Sequence, residues 1–244
     1  MPIRTVPFLM PGLAVVLAAL LAPALPAQRD PVQTETIQAR FWSGPTTLDA
    51  NPAKPMWRKT RGIAFQHNWR GEPLVGHLTS VQALWTQDEL WLLFTCAYDS
   101  ITISAGAQPV RETDKLWAVS DVAEAFIAPN PGDPMRYKEF QVSPAGQWVD
   151  LHIDRETGQH DAGWNSGFRS AARIDSGNQV WFAEMAIPLK SFGVQMPAPG
   201  TRWRLNFFRW EHGPPKRNIV WKPTFTSTVD FHVPHAFGWL EFAK

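Results

Sequence analysis

The sequence is poor in cysteine, with Cys96 as its one thiol in 244 residues. No intramolecular disulfide can form, and no cysteine stands at the end of the apolar leader to accept a lipid, so stability must come from packing or from bound ions. Clustered charge is missing too. Lys and Arg total 23 against 22 Asp and Glu, and a formal net charge of +1 gives no electrostatic ground for nucleic acid or an anionic membrane as partner. There is no long amphipathic helical period and no repeat of fixed length. The phosphate-cradling loop, the G-x-S-x-G elbow and the H-E-x-x-H helix are absent, which removes the common nucleotide, serine-hydrolase and zinc-protease signatures. Tyrosine is scarce at 2 residues, whereas Trp and Phe number 13 and 15. That many indoles exceed the needs of one core, so some are expected at a surface.

Residues 1–27 read as a secretory signal peptide. Arg4 supplies the positive start, an apolar run over 8–21 is broken only by Pro11 and Gly12, and small residues follow at Ala22, Ala24 and Ala27. The run is too short to span a bilayer, so cleavage after Ala24 or Ala27 is expected, with export to the periplasm or medium and no lipoprotein anchor. Residues 28–36 read as a short linker and 37–244 as one domain, roughly the size that buries a full core. A monomer is expected.

The mature chain reads as short strands joined by turns, with a Pro-rich lead-in over 28–55 and mostly loop from 57 to 78. Residues 81–85 and 90–98 form a strand pair around a turn, and the second strand is apolar on both faces, the mark of an inner strand. Further strands are expected at 122–128, 171–174, 180–187, 203–210, 219–221 and 239–242. One helical turn with Pro188 at its start is closed by Gly193. Two alternating strands flank the turn at 143–146. The first puts Phe140 and Val142 on one face and Tyr137, Glu139 and Gln141 on the other; the second separates Val149, Leu151 and Ile153 from Trp148, Asp150, His152 and Asp154. If they pair with their apolar sets together, the remaining face offers carboxylates, amides and rings, either as a sugar platform or as an ordinary solvated face. The fold class this spells is all-β, a sandwich of two antiparallel sheets.

The ordered series A-L-W-T-Q-D-E-L-W-L-L-F, W-A-V-S-D-V-A-E-A-F-I-A-P-N, Y-K-E-F-Q-V-S-P-A-G, W-F-A-E-M-A-I-P-L-K-S-F, W-R-L-N-F-F-R-W-E, W-K-P-T and F-H-V-P-H-A-F-G-W-L-E-F resembles the family 9 carbohydrate-binding modules over nearly the whole mature chain. The resemblance implies a CBM9-like sandwich that is non-catalytic, binds a glycan end between two Trp rings and supports polysaccharide catabolism. By motif position it implies Trp117 and Trp221 as the clamp and Glu124, within D-x-x-E-x-F, as a hydroxyl acceptor. Glu139, Gln141, Asn206 and Arg209 are further polar candidates. Gln141 stands where sugar-binding members carry Arg, and Phe208 where they carry Gln. Trp117 also reads as loop packing, Trp221 as core, and Glu124 as an ion-pair partner of an Arg such as Arg209.

No cofactor is required by this reading, and no metal ligand set is assigned. Pro234 prevents His232 and His235 from converging as a helical zinc pair. The turns at 130–133 and 154–161 offer oxygens suited to structural calcium, which the resemblance also allows. Two alternatives remain at this level. A glycoside hydrolase needs facing carboxylates, for which Glu139 and Asp150 are candidates. A DOMON-like sandwich binding haem b non-covalently needs an axial pair such as Met135 with His212 or His67.

Overall fold

The computed structural model describes residues 35–106 and 115–244, so the leader at 1–27 lies outside the described residues. Among the described residues thirteen strands follow in chain order: β1 (Thr36–Phe41), β2 (Ile63–Phe65), β3 (Thr79–Trp85), β4 (Glu89–Ala97), β5 (Val122–Ala128), β6 (Arg136–Val142), β7 (Trp148–Asp154), β8 (Gln159–Asp161), β9 (Arg169–Asp175), β10 (Val180–Pro188), β11 (Arg202–Glu211), β12 (Arg217–Val220) and β13 (Gly238–Ala243). Their hydrogen-bonded order is β8-β7-β6-β5-β11-β13-β1-β3-β4-β10-β9, with β12 beside β11 and β2 beside β3. The sheet curls over on itself, and the two layers of the expected sandwich are the two halves of this path. Phe94 of β4 meets Phe207 of β11 edge to face at 5.4 Å across the core, and Phe140 of β6 meets Phe168, just before β9, at 5.2 Å.

The antiparallel expectation needs one correction. β1 pairs in parallel with both β13 and β3, and so joins the layers into one path. Its first residue, Thr36, falls in the stretch read as linker, and the Pro-rich lead-in conceals the whole strand.

β4 is apolar on both faces because both are covered. Leu90, Leu92, Phe94 and Cys96 point into the main core, while Trp91 and Leu93 meet Met56 and Trp57 on the outside. Those two residues lie on α1 (Pro55–Arg58), a single turn that starts on a proline, where the missing N–H costs nothing. One buried carboxylate holds this flap. Glu184 of β10 accepts hydrogen bonds from the backbone N–H of Asp49 (3.0 Å) and Ala50 (2.8 Å), from Trp57 Nε1 (2.9 Å) and from Lys54 Nζ (2.6 Å). Paired and multiply bonded, the charge is tolerated in the interior; unpaired it would be costly. Glu184→Ala removes the buried partner of the Lys54 ammonium and leaves it only Asp49 (2.8 Å) and the Thr47 carbonyl, and urea denaturation is expected to show a loss of about 3 kcal/mol.

Candidate functional site

Strand register decides which side chains share a face. Glu124 lies opposite Gln141 and Phe126 opposite Glu139, while on the other side of β6 Gln141 and Glu139 face Val149 and Leu151. On β11, Phe208 lies opposite Glu124 and Trp210 opposite Val122. The outer face of this layer therefore carries Glu124, Phe126, Glu139, Gln141, Phe208 and Trp210. The apolar sets of β6 and β7 do not share a face, contrary to the hairpin expectation. Phe140 pairs with Asp150 and Val142 with Trp148, so each face is mixed.

Over this outer face lies a cleft of about 200 Å³. Its floor is Glu124, Glu139 and Gln141, and its aromatic walls are Trp117, Phe126, Trp210, Phe231 and His232. Trp117 sits on α2 (Leu116–Val119), one turn whose leading residue Lys115 takes a left-handed φ of 52°. Its backbone is held from both sides: the N–H donates to Gln141 Oε1 (3.2 Å) and the carbonyl accepts from His212 Nε2 (2.8 Å). The indole remains 43 % exposed and leans on Trp210 at 5.8 Å between centroids, tilted by 35°. The opposite wall is equally built, with Phe231 stacked on Phe208 at 4.3 Å and His232 on Phe126 at 5.1 Å. Tyr137 Oη lies 2.6 Å from Nδ1 of His232, and burial holds that imidazole at about 4, neutral near pH 7.

The floor is electrostatically unusual. Gln141 Nε2 donates to Glu139 Oε1 (2.5 Å), but Glu139 Oε2 and Glu124 Oε1 have no hydrogen-bond partner among the described residues. Both carboxyls are buried. Burial raises the Glu124 carboxyl well above the usual range and the Glu139 charge raises it further; Glu139 is raised by burial too, with the Gln141 amide opposing.

Of the residues singled out from sequence, Trp117, Glu124, Glu139 and Gln141 converge here. Trp221 does not. Val220, opposite Phe208, is on the outer face, so alternation sends Trp221 inward, where it is 1 % exposed and packs on Phe207 at 5.6 Å. Gly238 makes room for it, since a Cβ there would fall 2.5 Å from the indole Cη2. The Trp117 and Trp221 clamp is therefore not formed. Asn206 spends its amide on the chain after β12, donating to Lys222 O (2.9 Å) and accepting from Lys222 N (3.0 Å). Arg209 points into the core, donates to Thr79 Oγ1 (3.2 Å) and Ala97 O, and pairs with Glu211, leaving Glu124 without it. Trp210, Phe231 and His232 stand in the ordered series but carry no sequence signal that assigns them to a ligand site. Only the shared face of Trp210 and Glu124 could have pointed to the first.

Neither the facing-carboxylate pair nor Met135 with His212 assembles. Glu139 faces outward and Asp150 inward, where Asp150 accepts from the backbone N–H of Ser166 at 2.7 Å. Met135 and His212 lie beyond opposite ends of β5, a separation of about 30 Å at the rise of a strand. Three carboxylates of the turns at 130–133 and 154–161 meet on one guanidinium, where Arg136 bonds Asp133 (2.6 Å), Asp154 (3.1 Å) and Glu156 (2.6 Å), while Asp161 Oδ1 accepts from the Gly163 N–H (2.9 Å).

The family model described as carbohydrate family 9 binding domain-like matches residues 48–244. A carbohydrate-binding module of family 9 from Caldicellulosiruptor kristjanssonii, solved with cellotriose, superposes with a TM-score of 0.61 at 16% identity, covering 85% of this chain and 93% of that one. A Bacteroides uniformis protein described as carbohydrate-binding superposes with a TM-score of 0.67, again at 16% identity, covering 85% of this chain and 98% of that one. A protein of Arthroderma benhamiae described as an extracellular protein is 30% identical over 107 residues, 39% of this chain. The aligned region spans 47% of that relative's length.

Two measurements follow. Trp221→Ala should cost about 3–5 kcal/mol in urea denaturation, as for other buried Trp, while Trp117→Ala should stay within about 0.5 kcal/mol. The raised floor carboxyls bind a proton more tightly folded than unfolded, so their stabilisation is full below the usual glutamate value of 4.5 and is lost as pH rises above it. Glu139→Gln should therefore gain thermal stability over the unsubstituted protein progressively from about pH 5 to 8.

Proposed function

We propose, since the chain belongs to the carbohydrate family 9 binding domain-like family, that the cleft above β5 and β6 binds a carbohydrate without transforming it. The observation that carries this reading is an indole 43 % exposed beside buried carboxyl oxygens that lack partners among the described residues. A pyranose offers an apolar C–H face to the Trp117 ring and hydroxyls at its edge to Glu124, Glu139 and Gln141. The sugar stacks on one side only. Trp117 and Trp210 are 5.8 Å apart, whereas a ring held between two indoles needs about 7 Å.

Catalysis is not part of the reading. Glu124 and Glu139 are diagonal neighbours on adjacent strands and lie together beneath a bound ring, while glycoside hydrolysis needs carboxyls on either side of the scissile bond. The protein acts, in this proposal, as an exported monomer that holds saccharide ends during polysaccharide breakdown and needs no cofactor. Titration with glucose and cellotriose tests it. Trp117→Ala should weaken binding about tenfold, equivalent to 1.4 kcal/mol of lost stacking; equal affinity of the two proteins would remove Trp117 from the site.

A further inference from the structure

We infer that the cleft prefers a saccharide bearing a free primary amine, the ammonium lying on Glu124 and Glu139 between aromatic walls. The inference rests on the carbohydrate reading above and narrows it. Among the described residues three acidic ones line the cleft, Glu124, Glu139 and Asp230, and no Lys or Arg does. The two on the floor are more than nine-tenths buried, and each keeps one oxygen without a hydrogen-bond partner among the described residues. A neutral sugar hydroxyl would satisfy such an oxygen singly. An ammonium satisfies both at once, because it brings three N–H donors and the counter-charge that the site lacks.

The walls suit the same ligand. Trp117, Trp210, Phe126 and Phe231 border the floor, and ring faces attract a desolvated cation. Among the described residues the titratable groups on the lining are Glu124, Glu139, Asp230 and His232; His160 (4.7 Å between rings), Arg155 and the Tyr137 hydroxyl act on His232 from outside it. His232 is neutral near pH 7 and places no charge in competition with the ligand. The floor carboxyls, held protonated to higher pH than usual, must ionise to pair with an ammonium, so binding releases a proton to solvent.

Calorimetric titration with glucosamine, glucose, N-acetylglucosamine and methylammonium decides the matter at about pH 6, where the amines are charged. Glucosamine should bind at least tenfold more tightly than glucose, N-acetylation should abolish the preference, and proton release should accompany glucosamine but not glucose. Glu139→Gln, and independently Glu124→Gln should the first fail to fold, should bring the glucosamine to glucose ratio towards one. Equal binding of glucose and glucosamine would overturn the amine preference and leave the carbohydrate reading intact. Absence of binding by every saccharide would overturn the carbohydrate reading itself. Methylammonium binding as tightly as glucosamine would overturn the saccharide part of the inference.

Discussion

The pairing of Glu124 with Gln141 across β5 and β6 is the constraint from which the rest of the site follows. Side chains alternate along a strand, so a slip of one residue would turn Glu124, Glu139 and Gln141 into the core and bring Phe140 and Val142 out. The inner set prevents the slip: Ala123, Ala125, Ile127, Phe140 and Val142 are all buried in the main core. Apolar burial on one face thus fixes the position of two acids on the other. Gln141 then couples the floor to the rim, since the amide that donates to Glu139 also accepts from the backbone of Trp117.

Both outer faces of the curled sheet are partly roofed, in different ways. Over β4 and β10 the roof is closed, with Lys54, Trp57 and two backbone N–H groups meeting on Glu184. Every demand of that buried carboxylate is met by the chain. Over β5 and β11 the described residues leave a cleft, and none of those that line it beside the buried Glu124 and Glu139 carboxyls is a Lys or Arg. Buried carboxyls at two sites in one domain therefore serve opposite ends: a satisfied one locks a flap, and an unsatisfied pair keeps polar capacity for something else.

Much of this was readable in the sequence. β10 and β4 stand out because their patterns are long and uninterrupted, and Trp117 because of its motif position. β1 was not readable, because it lies among prolines and its partners, β13 and β3, are distant in the chain and parallel. The hairpin of β6 and β7 was assigned its strands but not its register, since alternation fixes faces within a strand and not between strands. Trp221 shows the same limit. A motif position suggested a clamp, whereas alternation from Val220 and the missing side chain at Gly238 draw the indole inside. The far wall, Phe231 and His232, comes from a segment with no period at all.

In the proposed complex Trp117, and not Trp221, presents a ring to a saccharide above the Glu124 and Glu139 floor. With 13 tryptophans, the indole N–H resonances sample the whole molecule. On titration with cellotriose, the signals assigned to Trp117 and Trp210 should shift together while that of Trp221 stays fixed. A shift confined to Trp221, or to the distant Trp57 and Trp91 with Trp117 unmoved, would contradict the account.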